Sequence, residues 1–219
     1  DNYILTNIGS DLTVCKTTAF TTIDIKGEVT FGNANFSPTF TTTGGGTFSN
    51  IPKNHKGPFT VKYTPNQTDY DLGQVTLKME VPQPTTGNST SCGTGVDEMT
   101  LFFKPLPTAT ITATSPICEG NTTILTITGT PNSQVTYKKG TGSNRTVAID
   151  ASGTATIETE ALINTSTFTL VSAVNMDTPT CTANLTGVAP ITVAVTPKPV
   201  ITSLQYPGSP FCSSSAEGQ

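Results

Sequence analysis

The side chains best suited to covalent chemistry in this chain are its five cysteines: Cys15, Cys92, Cys118, Cys181 and Cys212. None falls in a Cys-x-x-Cys pair and a single histidine accompanies them, so a zinc set and a thioredoxin-like redox motif both lack their spacing. The chemistry that remains is disulfide formation. Pairing Cys15 with Cys92 and Cys118 with Cys181 joins residues 77 and 63 positions apart. On a chain-entropy account each such closure stabilises a small domain by roughly 4 kcal/mol. Cys212 is then left unpaired, its partner lost to truncation of a further unit. The alternative is a set of buried free thiols in a reducing compartment, since unpaired cysteine is often a core residue.

Other reactive groups form weaker patterns. Asp69, Asp71, Asp97 and Glu98 supply the oxygen ligands a calcium ion takes, but their spacing matches no EF-hand loop. The simpler expectation is a turn at Asp69 and Asp71 and solvated carboxylates ahead of a strand beginning at Met99. Glu158 and Glu160 lie two apart and share a strand face, as an acid/base pair would, or as the solvent face of that strand would. Lys138, Lys139 and Arg145 flank the Gly140-Thr141-Gly142 turn and offer positive charge to an anionic polysaccharide or simply to water. His55 sits in the loop Pro52-Lys53-Asn54-His55-Lys56-Gly57 without a Ser-Asp companion, so it lacks the arrangement of a general base. Tyr3, Tyr63, Tyr70, Tyr137 and Tyr206 would stack on sugars only if exposed, and their strand-like settings point to core or rim positions. Gly44-Gly45-Gly46 reads as a hairpin or bulge; no P-loop Lys-Ser/Thr follows it. Asn-x-Ser/Thr triplets begin at Asn35, Asn66, Asn88, Asn121, Asn144, Asn164 and Asn184, a frequency that an Asn- and Thr-rich composition produces by itself. No catalytic residue, cofactor or metal site is expected, and no enzymatic activity.

The elements that must position these groups read as strands. Charged residues make up 12% of the chain and there is no tryptophan. The abundance of Thr with Val, Ile and Phe suits pleated, half-buried surfaces, and Gly, Pro and Asn punctuate them. Alternation appears in Phe20–Ile25, Thr39–Thr43, Phe59–Tyr63, Val75–Val81 and Met99–Phe103, and again in Thr122–Thr128, Thr154–Thr159, Phe168–Ser172 and Ile191–Val195. Almost no helix is expected. Turn signals at Thr130-Pro131-Asn132-Ser133, Lys139-Gly140-Thr141-Gly142 and Asp150-Ala151-Ser152-Gly153 give the second half about seven strands at the spacing of a β-sandwich.

Cys15, Cys118 and Cys212 lie in similar Thr/Ser/Pro-rich settings, 103 and 94 positions apart, the length of a small sandwich domain. The chain therefore divides into residues 1–105, an Ig-like or PKD-like sandwich; 106–197, an Ig-like sandwich; and 198–219, the first strand of a third repeat. Lys104-Pro105-Leu106-Pro107 and Thr196-Pro197-Lys198-Pro199 mark the linkers. Their prolines fix φ and favour extended, semi-rigid joints, which makes the array a rod.

A net charge of −4 argues against a nucleic-acid partner, which needs clustered Lys and Arg. No polybasic patch is present, and no apolar run reaches the roughly 20 residues of a bilayer span; no direct membrane insertion is expected. The first residues show no signal-peptide pattern, and the chain reads as an internal part of a longer protein.

Together, Gly9-Ser10-Asp11-Leu12-Thr13-Val14-Cys15, Thr43-Gly44-Gly45-Gly46-Thr47-Phe48, Tyr63-Thr64-Pro65, Gly73-Gln74-Val75-Thr76-Leu77 and Met99-Thr100-Leu101 resemble the PKD-like and Ig-like repeats of very large Bacteroidetes surface proteins. The second unit is similar to the sister repeat of those proteins in Pro107-Thr108-Ala109-Thr110-Ile111, Ile117-Cys118-Glu119-Gly120, Val135-Thr136-Tyr137 and Thr167-Phe168-Thr169-Leu170. The two likenesses cover nearly the whole chain. The resemblance implies export by the type IX secretion system, extracellular display at the cell surface, and a role in attachment or gliding motility. The expected partners are a surface polysaccharide or protein ligand and the secretion and motility machinery of the outer membrane. Similar repeats also serve as carbohydrate-binding or spacer modules of secreted enzymes, and a component of an extracellular filament or secretion complex is a further alternative.

Overall fold

A computed structural model describes residues 4–30, 35–82 and 93–201. Residues 5–104 form strands β1 (Leu5–Asn7), β2 (Leu12–Cys15), β3 (Ile23–Thr30), β4 (Thr39–Thr42), β5 (Thr47–Ser49) and β6 (Gly57–Thr64), a short helix α1 (Gln67–Leu72), then β7 (Gln74–Val81) and β8 (Gly95–Lys104). They make two four-stranded sheets, ordered β1-β3-β6-β5 and β2-β8-β7-β4. With strands lettered in chain order, this is A-B-E-D facing A′-G-F-C, the arrangement of the immunoglobulin-type sandwich. The first strand is split. β1 pairs antiparallel with β3, whereas β2 crosses to the other sheet and pairs parallel with β8.

Residues 109–196 form a second sandwich of related plan in β9 (Ala109–Ala113), β10 (Ile117–Cys118), β11 (Ile124–Gly129), β12 (Ser133–Lys139), β13 (Arg145–Ala148), β14 (Thr154–Glu158), β15 (Ser166–Asn175), β16 (Thr182–Asn184), β17 (Ile191–Val193) and β18 (Val195–Thr196), with β13 paired to the C strand β12 where β5 pairs to the E strand β6. One sheet is β14-β11-β9, or E-B-A; the other runs β13-β12-β15 with β16 and β17 both pairing β15. The G strand is thus interrupted between β16 and β17, and its last part, β18, pairs parallel with β10. The split first strand, one half antiparallel to B and the other parallel to G, is common to both sandwiches.

The strands form where apolar and polar residues alternate. In β7, Val75, Leu77, Met79 and Val81 are buried while Thr76, Lys78 and Glu80 face outward, as a period of two requires. Buried residues gather into two clusters, one running in sequence from Ile8 to Phe103 and the other from Ala109 to Val193. Leu106, between them, packs on the second cluster.

Several sequence expectations change here. The stretch around Asp69 is a six-residue helix rather than a simple turn. Asn66 caps it, with its side chain accepting from the Asp69 N–H and the Asp69 carboxylate accepting from the Asn66 N–H. Asp97 and Glu98 lie within β8, which begins four residues before Met99. Residues 202–219, including Cys212 and Tyr206, lie outside the described residues, as do Tyr3, Asn88 and Cys92.

Candidate functional site

The described disulfide joins Cys15 to Cys181, with the Cα atoms 5.5 Å apart and 166 positions between them in sequence. It therefore links the two sandwiches to each other. Cys118 is an exposed free thiol, which corrects the pairing of Cys118 with Cys181 as well as that of Cys15 with Cys92.

Strand geometry explains the correction. In the first sandwich, Cys15 lies beside Lys104 at the end of β8, whereas Cys92 precedes Gly95, the start of β8, by three residues. The ten residues of β8 span roughly 30 Å, and three residues of chain reach about 10 Å. In the second sandwich, Cys118 pairs with Thr196 at the end of the G strand, while Cys181 exchanges hydrogen bonds with Asn175 at the far end of β15. A disulfide needs Cα atoms within about 7 Å. In each unit the first cysteine stands at the pole opposite the F–G connection, and Cys181, on the F–G connection of the second unit, meets Cys15 across the junction between units.

Each half of the clamp is held from behind. On the first sandwich, the Lys16 N–H donates to the Lys104 carbonyl at 2.8 Å, extending the β2–β8 pairing past Cys15. The Lys16 ammonium donates to the Tyr70 carbonyl at 2.5 Å, and the Thr17 N–H donates to the Tyr70 hydroxyl at 3.1 Å. Tyr70 is wedged between Phe20 and Phe103, with ring centroids 5.1 Å from each. From α1, between the E and F strands, its hydroxyl ties the backbone that follows β2 to the core. On the second sandwich, Cys181 is buried, and its N–H donates to the Asn175 side chain at 2.7 Å while its carbonyl accepts from the Asn175 N–H at 3.1 Å.

Lys104 supplies a second connection. Its ammonium donates to the carbonyls of Asp177 and Pro179, both at 3.2 Å, and lies 3.9 Å from the Asp177 carboxylate. The F–G hairpin of the second sandwich is thus held by a covalent bond and a charge-assisted latch, while Leu106 anchors the linker into the second core. Sequence reasoning placed Lys104 in the linker and missed its role. The latch accepts through backbone carbonyls, which carry no side-chain signature.

The four carboxylates considered for calcium occupy separate places. Asp69 is completely buried; it accepts from the N–H groups of Gly45 and Gly46 at 2.6 and 3.3 Å and from the Tyr63 hydroxyl at 2.7 Å. It is a structural hub closing the C–D loop onto α1. Burial, with the Asp69 carboxylate contributing, pushes the Tyr63 phenol well above its ordinary range, so it stays protonated and donating. Asp71 accepts from Gln67, and Asp97 accepts from the Ile8 N–H at 2.7 Å. Glu98 stands opposite Lys78 on β7. Among the described residues, no group of three or more His, Cys, Asp or Glu is arranged to hold a metal.

Glu160 pairs with Lys139 at 2.8 Å, and the Lys139 hydrogen bond holds its carboxyl below the usual value. Glu158 accepts from the Thr122 hydroxyl at 2.9 Å. Lys139, Arg145, Glu158 and Glu160 therefore line one mixed-charge surface, while Lys138, next along β12, belongs to the other face of its strand. Arg145 begins β13 and Lys138 lies within β12. His55 bridges to Phe36 through the backbone, and its ring lies 3.0 Å from the Pro58 carbonyl. Tyr63, Tyr70 and Tyr137 are buried, so among the described residues the tyrosines form no exposed platform.

No family model matches the chain, and no curated protein matches it. Among solved structures, the chain is similar to an I-band fragment from titin at 14% identity and a TM-score of 0.49, covering 90% of this chain and 64% of that one. It is similar to a marsupial T cell receptor at 10% identity and a TM-score of 0.46, covering 92% and 75%. It is also similar to extracellular domains 3–5 of Drosophila OTK at 9% identity and a TM-score of 0.41, covering 90% and 62%. The chain spans less than two thirds of the titin fragment's length. What defines the sandwich type is the strand order and register described above.

Proposed function

We propose that this chain is a stiffened repeat segment of a long secreted, cell-surface adhesin of the gliding-motility type, displayed after type IX secretion. The observation that carries the reading is the Cys15–Cys181 bond between successive sandwiches. A disulfide within a domain stabilises that domain; one between domains constrains their relative orientation and alters the path of force. Tension applied at the chain ends passes from Cys15 directly to Cys181, so the intervening chain, which holds most of both cores, bears none of it. Fully extended, that segment would add roughly 550–600 Å, a lengthening the bond forbids. Such a joint keeps a distal binding surface at fixed reach while an attached cell pulls on it. A disulfide also suits the oxidising environment outside the cell. The ligand class under this proposal is a surface polysaccharide or protein, met by this segment or by one it carries, and the cellular partner is the outer-membrane secretion and motility machinery.

The direct test is attachment. Cells whose native surface protein carries Cys15→Ser and Cys181→Ser are expected to be displayed normally but to detach at lower shear than the parent. Detachment at equal shear, or soluble fragments and knockouts that leave attachment and gliding unchanged, would remove the adhesin reading.

A further inference from the structure

Cys118 occupies the same place in the second sandwich that Cys15 occupies in the first. Cys15 ends β2, pairs parallel with β8 and faces Lys104; Cys118 ends β10, pairs parallel with β18 and faces Thr196. The match continues along the backbone. The Lys16 N–H donates to the Lys104 carbonyl at 2.8 Å, and the Glu119 N–H donates to the Thr196 carbonyl at 2.9 Å. It extends into the linkers, where Pro105 and Pro107 follow Lys104 as Pro197 and Pro199 follow Thr196. Two cysteines thus share one relation to the departing linker. One is bonded to the F–G hairpin of the sandwich its linker leads into; the other is exposed and free.

We propose that Cys118 is the attachment site for the F–G hairpin cysteine of a sandwich following the second linker, so that a disulfide joins each sandwich to the next along the array. This rests on the internal repetition of the structure and not on the adhesin reading. The sequence supplies both halves of the required pattern. Pro210-Phe211-Cys212 repeats Pro116-Ile117-Cys118 beyond the second linker, and Cys92 lies between the F and G strands of the first unit in sequence, as Cys181 does in the second. The second pole has Thr196 where the first has Lys104, yet a linker cation remains close by: a Cβ placed on Gly120 would lie 3.5 Å from the Lys198 ammonium.

The bond forms by thiol–disulfide exchange with an external disulfide, such as that of an extracytoplasmic oxidoreductase. The Cys118 thiolate attacks one sulfur of that disulfide and expels the other as a thiolate. The F–G thiolate then attacks the Cys118 sulfur and expels the second. Two protein thiols lose two electrons and two protons in all, and the external disulfide is reduced to two thiols.

The test is disulfide mapping of the full-length protein, isolated without reductant, alkylated, digested and analysed by mass spectrometry. The expected result is a Cys118 peptide linked to a cysteine peptide from the F–G segment of the following sandwich, with under a tenth of Cys118 alkylated. In the C118S variant the released partner cysteine should become alkylated, adding one labelled thiol per chain. Cys118 alkylated as a free thiol, or linked to Cys212 or to Cys92, would overturn the proposal. So would a Cys118-dependent doubling of mass on a non-reducing gel, which would mark a bond between copies.

Discussion

Asp69 organises more of the first sandwich than any surface charge does. Its carboxylate gathers the Gly45 and Gly46 N–H groups, the Tyr63 hydroxyl and the Asn66 N–H, and the loop wraps it so closely that a Cβ at Gly46 would overlap the Tyr63 hydroxyl and the Asp69 carboxylate. Removing one partner strands the rest without water, at 1–3 kcal/mol per buried group. Asp69→Ala is therefore expected to lower stability by roughly 3 kcal/mol or more in urea unfolding, and Gly46→Ala to destabilise by steric conflict; a parent-like midpoint in either would contradict this account. Asp150 plays a lesser version of the same part in an exposed turn. The Ser152 hydroxyl, aided by the Thr154 and Ser152 N–H groups, holds its carboxyl below the usual value. A lowered native pKa contributes stability that is complete above the unfolded value near 4 and is lost as pH falls through the native one. The parent should thus exceed Asp150→Ala in urea midpoint at pH 6, and the gap should narrow toward pH 2.

Among the elements, the F–G hairpin after β15 and the end of β2 decide the behaviour of the joint. Lys104→Ala removes hydrogen bonds to two carbonyls while leaving both cores intact. We expect a loss of about 1 kcal/mol or less in global stability, but clearly faster amide exchange at Asn175 and Cys181, whose N–H groups bond across the F–G hairpin that Lys104 holds; unchanged exchange would show that the latch is idle. Loss of the disulfide should act more strongly. A closure of this length constrains the unfolded chain by about 5 kcal/mol on the chain-entropy account. Cys15→Ser with Cys181→Ser is expected to turn one cooperative transition into two, because each sandwich keeps its own buried cluster. Coincident unfolding of both halves in that variant, followed by probes placed in each, would show that the joint does not depend on the bond.

For the molecule as a whole, the disulfide sets how far the chain extends under load. In single-molecule pulling from the two ends, the oxidised protein should never release the segment between Cys15 and Cys181, whereas added reductant should expose unfolding events totalling roughly 550–600 Å of chain before the folded length is subtracted. The same comparison in solution scattering should show a wider spread of inter-sandwich distances after reduction. Equal lengthening in both states would mean that the bond lies outside the force path.

The sequence by itself determined the strands, because alternation such as that of Val75, Leu77, Met79 and Val81 is a local property with one buried face. It also carried the repeat, since Cys15 and Cys118 recur in matching settings. The cysteine pairing was not legible in the same way. Within one unit the partners looked natural by spacing, but parallel pairing of β2 with β8 and of β10 with β18 places the first cysteine of each unit at one pole and the F–G connection at the other. Asp69 escaped for a related reason: nothing local distinguishes a carboxylate in solvent from one enclosed by a glycine loop brought from another strand. Local pattern chose the strands; only the three-dimensional course of A′ beside G decided that Cys15 would meet Cys181 across the joint.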